Sequence, residues 1–423
     1  MRRKRSSRAA LLRSTWLRAE DLLFASLALR SEASVGGSSA TPELVENRKG
    51  QDEHEQEDVF RKCGRIGRIV GLQEPAGERI RKTAGEVRRM RWFAVLLAVT
   101  SAFVVHAVGL EFSAVPVWAE GREKERNLTL GFRVCFDGTE ASCLRYSASS
   151  IARVWLNGEF LCYGPARGPH GLDRVDEIPL DGRLKPGRNT LAFEVAGYNV
   201  ESYYLLNEPA YLVAEVLDRK RNVIVGTQPK GSFEGFVISE RLQKVPRFSY
   251  QRPFCEVYEI NPSFNDWRIG GKREPVRLAQ AGGSAWIERI SPYPFYGVDR
   301  HFHPLRRGEL VKDDAKPQQM GWWMKGAEKP NRGYPKSEVT RHPMFEMQRF
   351  GEKGGEACSQ ATSYEVGDLQ YLLLDHGYCD TGFLGATVVC RRPGRLYFYF
   401  DEVLVSNDVN VARMGWQCVN AVS

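Results

Sequence analysis

Apolar and polar positions alternate along much of the chain. The stretch Leu128 to Phe136, LTLGFRVCF, alternates with a period of two, and so does ARVWLNG over Ala152 to Gly158. Such a period turns one face of a strand towards a core and the other away from it, so both segments are predicted as β-strands. Asn157-Gly158 closes the second. A two-residue type I′ turn requires positive φ at both central positions, and Asn-Gly meets that demand. Pro186-Gly187 predicts a further turn, Thr190 to Val195 alternates again, and AYLVAEVLD and NVIVGT read as the next strand pair. No 3.6-residue period persists over a useful length. The pattern predicts an all-β protein, with turn residues every ~8–12 positions as in a sandwich.

Residues 262–345 are less regular. They hold SPYPFYG and KPNRGYPK and many basic residues, and they read as an extended connector with at most isolated strands. A second β run opens at Gln370. There QYLLLDHG reads as a short buried strand, FLGATVVCR alternates, Pro393-Gly394 turns, and RLYFYFDEVLV is aromatic and β-branched.

Composition and charge refine this picture at the N-terminal end. Apolar residues make up 42% of the chain and charged residues 26%, ordinary for a folded protein. The net charge of +8 is unevenly placed, because residues 1–89 carry 19 Lys/Arg against 13 Asp/Glu and residues 90–423 carry 41 against 39. The remainder is nearly neutral and lacks a basic patch interleaved with RNA-type motifs, so no nucleic-acid partner is expected. Arg88, Arg89 and Arg91 lead into an apolar run from Trp92 to Val105, closed by Val105-His106-Ala107. A charged start, an apolar centre and a small-residue cleavage pattern have the form of a secretory signal peptide over 90–107, with Met90 where it would begin. The run is short for a membrane span, which disfavours an uncleaved anchor. Export to the periplasm or the extracellular space is expected, with no membrane span after cleavage. Residues 1–89 read as a disordered or spurious upstream extension.

Cys135, Cys143, Cys162, Cys255, Cys358, Cys379, Cys390 and Cys418 follow that segment, and none forms a C-x-x-C pair. The spacing argues against a zinc site and favours scattered core thiols, while a disulfide partner cannot be chosen from sequence. No metal and no cofactor are expected. The chain has no Gly-x-Ser-x-Gly elbow, no His-Glu-x-x-His and no phosphate-cradling glycine loop.

Four stretches in order carry a family likeness. VWLNGEFLCYGPARGPHGLDRVDE, LKPGRNTLAFEVAGYNVESYYLL and VPRFSYQRPFCEVYEI resemble the N-terminal, galactose-binding-like jelly roll of bacterial α-L-rhamnosidases of the six-hairpin glycosidase group. LLLDHGYCDTGFLGATVVCRRPGRLYFYFDEVL resembles the start of that family's concanavalin-like sandwich. The resemblance implies two β-sandwich domains, a jelly roll over 116–261 and the start of a second sandwich over 346–423, joined by the 262–345 connector. It also implies a parent reaction, hydrolysis of terminal α-L-rhamnosides by an inverting acid/base mechanism. That reaction needs two carboxyl groups about 6.5–9.5 Å apart. In similar enzymes both come from an (α/α)6 barrel, whose helical pattern is not read here, so a truncated, non-catalytic part is expected, with no catalytic residue assigned. Asp401 and Glu402 are adjacent on a predicted strand and would face opposite ways. Asp173, Asp176 and Glu177 read as turn caps or solvent-facing groups. The Asn127-Leu128-Thr129 sequon is a chance match in a bacterial chain, which the resemblance suggests.

The segment Gly164 to Gly171, GPARGPHG, allows two readings. As a rigid crossover, its prolines restrict the chain, its glycines allow positive φ, and Arg167 pairs with a neighbouring carboxylate. As a sugar-binding edge, it offers planar donors to hydroxyls beside aromatic faces, on a loop held by a scaffold. Arg167, His170, Asp173, Tyr198, Asn199, Tyr203 and Tyr204 supply those groups, and a rhamnose-containing glycan or oligosaccharide is the partner the second reading implies. Trp155, Phe193 and Tyr397 are expected in the core. Three roles follow: a carbohydrate-binding or scaffolding part of a rhamnosidase-like enzyme, a free-standing carbohydrate-binding module, or a purely structural fragment.

Overall fold

A computed structural model describes residues 110–202, 204–247, 254–283, 285–300, 302–313, 333–341, 346, 350–378, 382–400 and 418–422. The protein is all-β. One sheet of five strands runs in the order β10 (Glu234–Val237), β2 (Leu128–Asp137), β7 (Arg188–Gly197), β4 (Ile151–Leu156) and β5 (Glu159–Gly164). A facing sheet of seven runs β12 (Leu278–Gln280), β1 (Val117–Ala119), β8 (Tyr211–Asp218), β3 (Ala141–Ser149), β6 (Leu172–Pro179) and β13 (Ala285–Glu288), with β9 (Val223–Gly226) joined to β8. The predicted hairpin turn is present, with φ of 55° at Asn157 and 86° at Gly158.

The alternation builds the layer between the sheets. Leu191, Phe193 and Val195 of β7 point one way, with Leu130, Phe132 and Val134 of β2 beside them. They meet Leu144 and Tyr146 of β3 and Leu212, Ala214 and Val216 of β8. The other face of the five-stranded sheet is also dry, because residues 258–267 lie across it. There Trp155 and Ala192 pack with Phe236, Ile238, Tyr258, Phe264 and Trp267. Arg153 and Glu194 occupy polar positions of the alternation, yet they are 1% and 0% exposed and form an ion pair. A buried charge is tolerated only when paired and hydrogen-bonded, and Arg153 also donates to the Tyr258 hydroxyl at 2.9 Å.

The region read as a connector carries paired strands. β12 pairs with β1 and β13 runs parallel to β6, so both complete the seven-stranded sheet. β14 (His303–Lys312) is the centre of a three-stranded sheet between β15 (Phe350–Ala357) and β16 (Gln370–Asp375). A second three-stranded sheet joins β11 (Val257–Tyr258), β18 (Cys418–Val422) and β17 (Leu396–Phe400). β16 was expected to be buried, but only Leu373 of its six residues is. Over Phe383–Arg391 there is no strand. Phe383 instead packs edge-on against Tyr163 and Phe160 of β5, at ring separations of 4.8 and 6.3 Å.

Of the six cysteines whose burial is described, Cys162 and Cys255 are buried, so the expectation of core thiols holds for those two and fails for Cys135, Cys143, Cys358 and Cys390. Trp155 and Phe193 are buried as expected, whereas Tyr397 is half-buried and donates to Glu346. The signal-peptide reading, the reading of residues 1–89, and Cys379, Asp401 and Glu402 lie outside the described residues. No helix among the described residues is long and apolar enough to cross a membrane.

Candidate functional site

Strand registers bring four connections to one end of the sandwich. Leu128 opposes Gly197, Ile151 opposes Ala196, Ala152 opposes Gly164, and Ser149 opposes Tyr211. The β1–β2, β3–β4, β5–β6 and β7–β8 connections therefore leave from the same edge. The Gly-Pro loop is the β5–β6 connection, and Tyr198, Asn199, Tyr203 and Tyr204 belong to the β7–β8 connection.

The structure sorts these residues by role. Arg167 is exposed, and its guanidinium lies over the ring of half-buried Tyr204, 5.2 Å from the centroid. It has no carboxylate partner among the described residues, so the expected ion pair gives way to a cation–π contact. His170 is exposed on the same loop. Asp173 is half-buried at the start of β6 and accepts the Tyr211 hydroxyl. Tyr198 and Asn199 are turned inward, at 3% and 5% exposure. The Tyr198 hydroxyl accepts from Arg241 at 3.1 Å. The Asn199 amide donates to the carbonyls of Glu123 and Glu125 at 3.0 and 2.7 Å, tying the β7–β8 connection to β1–β2. Asn199 has φ of 49°, a conformation that Asn adopts more readily than most residues. Tyr203 lies outside the described residues. The end of the sandwich thus gathers Arg167, His170, Asp173 and Tyr204, while Tyr198 and Asn199 hold the scaffold beneath it.

The loop rests on a buried carboxylate. Asp176 is 0% exposed, where a turn cap or a solvent-facing group was expected. It accepts the Ala166 N–H at 3.2 Å and an Arg289 Nη at 2.7 Å, with the Tyr146 hydroxyl 3.5 Å away. Burial pushes its carboxyl above the usual range, against the pull of Arg289. A Cβ at Gly164 would strike Asp176, and one at Gly168 would strike the Leu172 carbonyl oxygen, so only glycine fits at either place.

Arg289 belongs to a strap, residues 285–296, that runs on from β13. Its guanidinium stacks on Tyr293 at 4.3 Å, and the Tyr293 hydroxyl accepts the Glu177 N–H at 2.7 Å. The Tyr296 hydroxyl accepts from Tyr163 N at 2.9 Å and donates to Tyr163 O at 2.8 Å. These anchors were missed from sequence because they lie in the stretch read as a connector. The signal was present in the two tyrosines of Tyr293-Pro294-Phe295-Tyr296, which prolines separate from any regular element.

Burial, and then the charge of Asp173, hold the Glu208 carboxyl above its ordinary range, opposed by His170 and by the Gly171 N–H. Burial, and then Asp173, likewise raise the Tyr211 hydroxyl. Glu177 is held low by the Arg221 fork, which reaches it at 3.0 and 2.6 Å. An open cleft of about 450 Å³ lies alongside, lined by Glu125, Arg126, Gln243, Lys244, Tyr334, Pro335 and Glu338. Among the described residues no three His, Cys, Asp or Glu side chains are placed to hold a metal ion. Asn127 is buried and donates its amide to the Gln243 carbonyl, which keeps the sequon nitrogen inside the fold.

This arrangement, a β-sandwich with a loop-built polar face at one end, can be set beside known proteins. No family model matches the chain, and no curated protein does. Among solved structures it is similar to the GH78 family rhamnosidase of Bacillus sp. GL1, at 21% identity and a TM-score of 0.42, over 49% of this chain and 23% of that one. It is similar to the native α-L-rhamnosidase from Aspergillus terreus at 12% identity and a TM-score of 0.34, over 69% of this chain and 38% of that one. It is also similar to the lectin from Pleurotus ostreatus in complex with GalNAc at 15% identity and a TM-score of 0.25, over 49% of this chain and 59% of that one. The chain therefore spans less than half the length of either rhamnosidase.

Proposed function

We propose that the sandwich is the carbohydrate-binding part of an exported, α-L-rhamnosidase-like glycoside hydrolase, and that it takes a rhamnose-containing glycan at the end built by the Gly-Pro loop. The reaction proposed for the whole enzyme is inverting hydrolysis of terminal α-L-rhamnosides. One observation carries the binding reading: an exposed guanidinium over a tyrosine ring and an exposed imidazole on one loop, whose base is fixed by a buried ion pair. Planar donors and an aromatic surface on a rigid scaffold are what sugar hydroxyls and C–H faces require. The four family-like stretches in order support the rhamnosidase reading. Binding without cleavage is proposed because the loop's carboxylates are engaged: Asp176 by Arg289, Glu177 by Arg221 and Asp173 by Tyr211.

The purified chain on a glycan array is expected to retain rhamnose-terminated glycans and to release no p-nitrophenol from p-nitrophenyl rhamnoside. Arg167→Ala is expected to weaken retention without abolishing it. A second reading, pure scaffolding, is favoured by the inward-facing Tyr198 and Asn199. Wild-type chain that retains no glycan would establish that reading instead.

A further inference from the structure

Resting on the sugar-binding reading above, we propose that the glycan bound at this face carries a carboxylate, and that Arg167 is the residue that recognises it. Among the arginines around the loop, Arg167 is the one that holds neither a carboxylate nor a main-chain oxygen among the described residues. Asp176 is taken by Arg289 at 2.7 Å and Glu177 by Arg221 at 3.0 and 2.6 Å, while Asp173 accepts the Tyr211 hydroxyl. On the neighbouring connections Glu208 sits by His170 and the Gly171 N–H, and Glu125 is held by two nitrogens of Arg122 at 2.7 and 2.8 Å. Arg174 spends its guanidinium on the main-chain oxygens of Arg167 and Glu288. Arg167 remains exposed, with Tyr204 as its contact and no carboxylate among the described residues.

Its setting suits an anion better than a hydroxyl. The guanidinium lies over the Tyr204 ring, 5.2 Å from its centroid, and the Arg174 hydrogen bond to the Arg167 carbonyl at 3.2 Å ties down the backbone that carries it. A flat guanidinium presents paired N–H groups in one plane, which match both oxygens of a carboxylate, whereas a hydroxyl engages one of them. Because the fork is held before the ligand arrives, less side-chain freedom is lost on binding. The ligand class is a saccharide that includes a uronic acid.

The test is calorimetric titration of the full chain with methyl β-D-glucuronide and with methyl β-D-glucoside, two rings that differ at the C6 carboxylate. The glucuronide is expected to bind roughly 10- to 100-fold more tightly, the range of a charge-assisted hydrogen-bond pair. The preference is expected to shrink as salt is raised. Arg167→Met is expected to lose the preference with its thermal midpoint unchanged, and Arg167→Lys to keep part of it, because a charge remains without the fork. Equal affinity for the two glycosides in the wild type would overturn the proposal and leave sugar binding standing. An undiminished preference in Arg167→Met would also overturn it, by placing recognition elsewhere. Binding of neither glycoside, together with failure to retain any glycan on the array, would overturn both readings.

Discussion

Gly168 shows how little room the loop leaves. A methyl group there would overlap the Leu172 carbonyl oxygen, so the backbone of the loop must move to admit it. Gly168→Ala is expected to cost about 1–3 kcal/mol in urea unfolding, the range of an overpacked site, and to weaken glycan retention with it. Glu208 offers a pH-dependent test on the same face. Its folded carboxyl titrates above its unfolded value of about 4.3. Between those two values the folded state holds more protons than the unfolded one, so this group's contribution makes stability fall as pH rises through that window, and level off above it. Glu208→Gln is expected to flatten that part of the stability profile, measured by thermal unfolding between pH 4 and 7. An unchanged profile would show that the carboxyl is not held as described. Single residues were only partly legible in the sequence. Arg167 and His170 stood out because the loop's prolines and glycines marked a surface feature. Tyr198 and Asn199 look the same in sequence, but they are consumed inside the fold by Arg241 and by two carbonyls of the β1–β2 connection.

At the scale of elements, the strap 285–296 is what makes the loop a fixed platform. It brings Arg289 to Asp176 from more than a hundred residues away. Truncating one partner leaves the other charged and dry, so Arg289→Met is expected to destabilise the chain by about 3–5 kcal/mol in denaturant unfolding. Adding Asp176→Asn to that variant is expected to recover part of the loss, since no bare charge is then buried. A loss near zero would mean that the pair does not carry the loop. The same logic applies on the outer face of the five-stranded sheet, where Arg153→Met strands Glu194 and is expected to cost a similar amount. The strands themselves were readable. Alternation over Leu128 to Phe136 and Thr190 to Val195 and the Asn157-Gly158 turn each fell where the sequence placed them. Alternation alone, however, assigns Arg153 and Glu194 to solvent. It cannot register that residues 258–267 fold back over that face, because this cover is set by contacts remote in sequence. β12 and β13 escaped for another reason. They are three and four residues long and borrow their order from the sheet edges they join, so no local period announces them.

For the whole molecule, the decisive feature is the polarity of the sandwich. One end is drawn together by the β1–β2, β3–β4, β5–β6 and β7–β8 connections, and the opposite end holds the Asn157-Gly158 hairpin and the Pro186-Gly187 turn. Sequence order reveals the strands but not which loops converge, since that depends on register. The binding account places a glycan at the first end alone. Its most direct test is amide NMR of the full chain titrated with methyl α-L-rhamnoside. Shifts are expected to gather at Ala166 to Asp173 and at Tyr204 to Glu208. Shifts centred on the Asn157-Gly158 and Pro186-Gly187 turns, or no shifts at saturating glycoside, would contradict it.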